Sequence, residues 1–312
     1  MMNGRGKLNF EIGILGIMWG TTFVATTSVL DVLSIGQYLA LRWGIAGITS
    51  IIFVALNLVK VEFRRKNLKP LIVIMLLQPC VYATLETIGL NMTTASEASI
   101  ILALMPITIA LITTLILRER LKKNITIAAI ICIIGVLFTV MFEKDFELSG
   151  KLLGYGVLYA CVLSGAAYTL IGNKMGGQYT PVEITIALSV GGGIFFTASS
   201  IVKGEFISGI VLAGANIGTV LLLIYLGVFC SLICFFLYND INSKLIPAKT
   251  SLFVENIVTL VGVISAVIIN NDSMSLFKGF GVILLVVGIA YLSLSEEKEN
   301  RLNKRQVKDG ER

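Results

Sequence analysis

Apolar runs of about 20 residues, separated by short polar stretches, follow one another along nearly the whole 312-residue chain. A helix rises ~1.5 Å per residue, so each run is long enough to cross a hydrocarbon core about 30 Å thick. Ten runs qualify, at 10–30, 36–59, 70–90, 94–117, 124–142, 151–173, 181–202, 214–240, 246–270 and 276–295, numbered spans 1 to 10. Little chain is left between them, and no soluble domain fits. The pattern predicts an all-α integral membrane protein of ten transmembrane helices.

The same five-span pattern is written twice. Thr93 to Leu121 reads TTASEASIILALMPITIALITTLILRERL, and Leu245 to Met274 reads LIPAKTSLFVENIVTLVGVISAVIINNDSM. Setting Ser99 against Ser251 places Ala95 opposite Pro247, Glu97 opposite Lys249 and Glu119 opposite Asn271. Halves with an odd number of spans cross the membrane in opposite senses, so the expected architecture is two inverted five-helix repeats, a transporter design. The predicted organisation is a cytoplasmic N-terminus over 1–9, repeats over 10–142 and 150–295, and a charged cytoplasmic tail over 296–312.

Composition agrees with the spans: 56% of residues are hydrophobic, 14% charged, and the mean hydropathy is +0.89. Most of the 25 basic residues fall on the side of the N-terminus. The exceptions are Lys144, Lys151, Lys203 and Lys278 on the other side and Arg42 and Lys249 inside spans. Basic loops stay cytoplasmic, so both termini are expected inside a multi-pass protein of the cell membrane. The net charge of +6 suits contact with anionic lipid head groups and calls for no nucleic acid. The first apolar run is span-length and lacks an A-x-A site, which argues against a cleaved signal peptide. Cys80, Cys132, Cys161, Cys230 and Cys234 all fall within spans and read as buried small residues. With no His in the chain, a usual zinc set, a His proton relay and a Ser-His-Asp triad are excluded, and neither metal nor cofactor is expected.

WGTTF at Trp19 to Phe23, LRWGIAG at Leu41 to Gly47, TTASEAS followed by Pro106, and the LRERL closing span 4 recur in a definite order. Together with the duplication, they resemble the EamA repeat of the drug/metabolite transporter superfamily over about residues 10 to 295. The second half departs at Gly165-Ala166, where the family usually has Trp-Ala, at Val258 for Pro, and at Asn271-Asp272 for Gly-Glu. The resemblance implies a ten-helix carrier whose central cavity is lined mainly by spans 1, 3, 4, 6, 8 and 9. It also implies export of small metabolites, amino acids or amphiphilic drugs, driven by an ion gradient or by exchange.

A charge in the bilayer centre costs at least ~2.5–3.5 kcal/mol and rarely faces lipid. Counted along the spans, Arg42, Glu86 and Glu97 share one depth near the outer face, while Glu183, Asp240 and Lys249 lie near the inner face. They are read as two mirrored gate or coupling clusters, although residues so close to a boundary can also snorkel to water. Glu255 is deeper, near mid-span, with Asn256 beside it and Ala103 at the equivalent place in the first half. Such a carboxylate binds a cationic group in a wet cavity, exchanges a proton with the substrate, or makes a structural interhelical hydrogen bond. Trp19, Tyr82, Tyr168 and Tyr238 are the candidate aromatic walls, able to hold an ammonium group by cation–π attraction. Tyr82 shares a helix face with Glu86. Pro79 and Pro106 should kink spans 3 and 4, and Pro106, near mid-span, is a candidate hinge.

The function expected is secondary transport by alternating access: export of a small amine-bearing or amphiphilic metabolite, an amino acid or a drug, coupled to protons or to exchange. The alternatives are a membrane-embedded enzyme, for which no HExxH, paired-Asp or Ser-Lys pattern is visible, and a non-transporting membrane subunit, disfavoured by Glu255. No pattern assigns an oligomeric state.

Overall fold

The computed structural model describes residues 4–64, 66–117 and 150–288, with individual positions within 123–138 and 290–295. Among the described residues all regular structure is helical, and eight helices are long and apolar enough to cross a membrane. They are spans 1 (Gly4–Leu30), 2 (Ile35–Ala55), 3 (Lys69–Met92), 4 (Ala95–Leu115), 6 (Gly150–Met175), 7 (Pro181–Val202), 8 (Ile217–Lys244) and 9 (Pro247–Ile269). A shorter apolar helix, Leu276–Gly288, begins span 10. Most of span 5 and the tail 296–312 lie outside the described residues. The face at which span 1 begins is called the near face and the opposite one the far face.

Helix starts follow from local chemistry. Ser34 and Gln37 open span 2, Thr94 and Glu97 span 4, and Thr180 and Glu183 span 7, each pair as a reciprocal capping box. The side chain of the first residue accepts from the backbone N–H three positions on, and the third residue's side chain accepts from the cap N–H. Two otherwise orphaned donors are satisfied at each helix end.

The packing carries the inverted symmetry directly. A Cβ on Gly47 in span 2 would lie 3.0 Å from the Ser189 carbonyl oxygen of span 7, and one on Gly193 would lie 2.9 Å from the Trp43 carbonyl oxygen of span 2. Gly47 and Gly193, Trp43 and Ser189, Ser34 and Thr180, and Gln37 and Glu183 are all separated by the same number of residues. Spans 2 and 7 thus cross at a local two-fold axis, backbone to backbone, as small residues in membrane helices permit. The remaining contacts come in exchanged pairs. Span 1 packs on spans 8 and 9, span 6 on spans 3 and 4, and span 4 meets span 9.

Three departures from straight helices shape the interior. Span 4 is two helices, Ala95–Leu102 and Met105–Leu117, because Pro106 has no N–H to return to the Leu102 carbonyl. The turn tightens there, with the Leu104 N–H donating to the Ile101 carbonyl at 3.1 Å. Span 3 carries a π-helical stretch, Leu76–Ala83, with Pro79 inside it. Its counterpart, span 8, carries another at Tyr225–Ile233 with no proline. Widened turns of this kind often accompany functional sites.

Between spans 7 and 8 the chain forms a further short helix, Phe206–Gly214. Nine residues at ~1.5 Å each cannot cross a bilayer, and Asn216 caps a fresh start at Ile217. Its Ile207 and Val211 are 76% and 65% exposed, while Gly209 rests on Gln37.

Candidate functional site: a central aromatic cavity with an unpaired carboxylate

A cavity enclosing about 640 Å³ of atom-free space, part of it open to solvent, lies among the spans. Spans 1, 3, 4, 6, 8 and 9 contribute walls, and span 2 adds Arg42 and Trp43. The π-helical stretch of span 3 presents Gln78, Tyr82 and Ala83, and Glu86 follows one turn on. The break in span 4 brings Leu102 and Met105 to the wall from its two sides.

Arg42 is held by three other spans. Its Nε donates to Ser231 Oγ of span 8 at 2.8 Å and its Nη1 to Tyr38 Oη at 2.7 Å. Tyr38 Oη in turn shares a hydrogen bond with Thr26 Oγ1 of span 1 at 2.8 Å. The Glu86 carboxylate of span 3 lies 4.0 Å from Arg42 Nη1. The cation is buried but neither isolated nor free to swing.

Four rings make a box below it. Trp19 meets Phe235 edge-on at 5.2 Å between centroids and Tyr238 at 5.2 Å. Tyr168 stacks on Tyr238 at 6.2 Å. The Trp19 indole N–H donates to the Cys230 carbonyl at 3.0 Å, which fixes its ring plane. Tyr168 Oη donates to Asn239 Oδ1 at 2.6 Å, and Tyr238 Oη and Thr169 Oγ1 are 2.6 Å apart.

Glu255, nine residues into a 23-residue helix, faces this box from span 9. Its side chain is buried, and among the described residues it makes no hydrogen bond and no ion pair. A carboxylate so placed must find its counter-charge, proton or hydration in the cavity itself.

The structure brings Trp19, Arg42, Tyr82, Glu86, Tyr168, Tyr238 and Glu255 to one cavity. Asn256 is not on its wall, since a helix turns ~100° between neighbours. The expected outer trio is not a trio. Glu97 folds back to cap its own helix and lies 3.6 Å from Lys151 Nζ, away from Arg42 and Glu86. The expected inner trio also separates. Glu183 caps span 7, accepts from the Glu62 N–H at 2.9 Å and pairs with Lys66 at 2.7 Å. Asp240 pairs with Lys244, which also reaches Glu11 at 4.0 Å. Both acids thus take partners other than Lys249, which stands in the first turn of span 9. Depth alone groups these acids, whereas their position as third helical residue, or one turn before a lysine, decides their partners. Pro106 stands just past the break in span 4.

Several functional candidates escape the sequence reading. Tyr38 is four residues before Arg42 and Gln78 four before Tyr82, so a same-face rule reaches both. Ser231, Thr169 and Asn239 carry no such signal, because their partners lie on distant segments.

The model of the EamA-like transporter family matches residues 12–141 and 152–294. The chain is 28% identical over 289 residues to the "Uncharacterized transporter YcxC" of Bacillus subtilis (strain 168), covering 90% of this chain and 91% of that protein. It is 24% identical over 290 residues to the "Uncharacterized transporter YyaM" of the same organism, covering 90% and 92%. A solved structure described as "Crystal structure of protein" matches at a TM-score of 0.70 and 17% identity, over 92% of this chain and 96% of that one; it shows the fold. The chain belongs to the EamA-like transporter family.

Proposed function

We propose that this EamA-like transporter moves small amine-bearing or amphiphilic molecules out of the cell by alternating access, with the ammonium group seated between Glu255 and the faces of Trp19 and Tyr238. The observation that carries the reading is the Glu255 carboxylate, buried at mid-span with no protein partner among the described residues. Only an occupant of the cavity can compensate it: a proton when the cavity is empty, or a cation when it is filled. Aromatic faces add cation–π attraction of about 0.5–2 kcal/mol, more where water is excluded. Glu86 and Glu255 together outnumber Arg42, so the cavity has a net preference for positive charge.

Exchange of one cation for one proton at Glu255 couples the two fluxes, because the carboxylate cannot hold both. In this reading the near face is cytoplasmic and the membrane is the cell membrane, as the distribution of basic residues supports. Outward direction rests on the family resemblance.

Purified protein in liposomes, offered a panel of amines and their neutral alcohol counterparts of equal shape, tests the substrate class. Uptake or counterflow confined to the amines is expected. Equal transport of the alcohols would end the assignment of Glu255 to an ammonium group.

A further inference from the structure

We infer that Tyr168 and Tyr238 are both the floor of the cavity and the latch that closes it toward the near face: their rings line the space, and their hydroxyls tie span 6 to spans 7 and 8 beneath it. The rings stack on each other at 6.2 Å, and both line the cavity. Below them the hydroxyls start a ladder of neutral hydrogen bonds. Tyr168 Oη donates to Asn239 Oδ1 at 2.6 Å, and Asn239 Nδ2 donates to Thr185 Oγ1 of span 7 at 3.1 Å. Tyr238 Oη and Thr169 Oγ1 are 2.6 Å apart, and Asn242 Nδ2 donates to the Thr169 carbonyl at 3.0 Å. One turn further on, Asn173 Nδ2 donates to the carbonyls of Asn242 and Leu245, the latter at 3.0 Å.

The inverted repeat supplies an internal control. The mirror image of the span 6–span 8 contact is the contact of spans 1 and 3 toward the far face. Among the described residues no hydrogen bond joins spans 1 and 3, and Phe23 faces the cavity there. There spans 1 and 3 are linked through span 2, by Thr26, Tyr38, Arg42 and the 4.0 Å approach of Glu86. The two ends therefore differ: direct neutral hydrogen bonds tie the near one and a longer charged relay the far one, an asymmetry that alternating access can use. The ladder holds no ion pair. Each bond contributes a small net amount, so the latch can open without first stripping a buried charge.

Since the latch tyrosines are also wall residues, a molecule resting on their rings acts on the seal directly. The inference rests on the proposed reading only in taking the cavity as the transport path. Its test reads accessibility without substrate, so it fails separately from the assignment of substrate class.

The full chain, with its five cysteines replaced and Thr22→Cys on the cavity wall as reporter, is reconstituted and labelled by a membrane-impermeant maleimide from one face at a time. Labelling is expected to be faster from the face opposite the N-terminus. Tyr168→Phe and Tyr238→Phe, which keep the rings, should raise labelling from the N-terminal face about two- to tenfold, the population shift from losing one net hydrogen bond. Thr169→Val, which removes the partner of Tyr238 and leaves both rings intact, should do the same and decides the matter if a tyrosine variant does not fold. Unchanged labelling from the N-terminal face in the folded variants would overturn the inference, and so would equal labelling from both faces in the parent protein.

Discussion

Glu86 Oε2 stands 4.0 Å from Arg42 Nη1, and it is the acid of span 3 that meets the cation of span 2 at the cavity wall. The pair is unequal. Arg42 has two shorter bonds, to Tyr38 and Ser231, that do not depend on Glu86. Arg42→Met should therefore cost about 3–5 kcal/mol, as when one partner of a buried charged network is removed. Glu86→Gln leaves the Arg42 cation its two shorter hydrogen bonds and should cost less, about 1–3 kcal/mol. Thermal unfolding in detergent measures both, and the order of the two Tm values is the prediction.

The span 2–span 7 crossing predicts a contrast among glycines. Gly193→Ala forces a methyl to 2.9 Å from the Trp43 carbonyl oxygen, a backbone atom that cannot rotate away. A loss of about 1–3 kcal/mol is expected, the usual range for overpacking. At Gly156 and Gly13 an added Cβ would meet no atom within 4 Å. Alanine there should be neutral or stabilising by up to ~1 kcal/mol through helix propensity. Equal Tm shifts for Gly193→Ala and Gly156→Ala would argue against a close crossing.

At the near face a second contrast is expected. Glu183 caps span 7, accepts from the Glu62 N–H and pairs with Lys66, which also lies over the Tyr179 ring at 5.3 Å. Lys66→Met removes one partly exposed charge and should cost about 0–1 kcal/mol. Glu183→Ala removes a cap as well and should cost about 1–2 kcal/mol more. Proteolysis within residues 57–64 in detergent would register the difference, with faster cleavage in the Glu183 variant.

The chain has two tryptophans, and both Trp19 and Trp43 line the cavity. Its tryptophan emission therefore reports the site. A transported amine should shift or quench it saturably, and Trp19→Phe should remove most of the change, since Trp19 is the indole packed in the aromatic box with Tyr238. Titration of the parent and the Trp19 variant checks this, and an unchanged signal in the variant would move the ligand away from the box.

What the sequence reveals and what it hides divide along a physical line. Spans are legible because a bilayer imposes a length on every apolar run, and Glu255 is visible because a carboxylate nine residues into such a run has no bulk water to reach. Depth alone assigns Glu97 and Glu183 to gates, although Thr94-x-x-Glu97 and Thr180-x-x-Glu183 spell capping boxes. The helix Phe206–Gly214 is hidden because an apolar stretch too short to cross carries no periodicity that separates it from a loop. Nothing local marks Ser231 as a partner of Arg42, since 189 residues separate them. Tertiary partners of this kind are set by the crossing of spans and leave no local trace.

The central claim is that the unpaired Glu255 carboxylate is where cation and proton compete. Its most direct test is amine-driven proton movement by Glu255→Gln protein in liposomes bearing a pH gradient, beside the parent protein. The account predicts that the variant folds with a Tm near the parent's, since Glu255 has no protein partner to lose among the described residues, and that amine addition no longer dissipates the gradient. Gradient dissipation by Glu255→Gln at the parent's rate would contradict it.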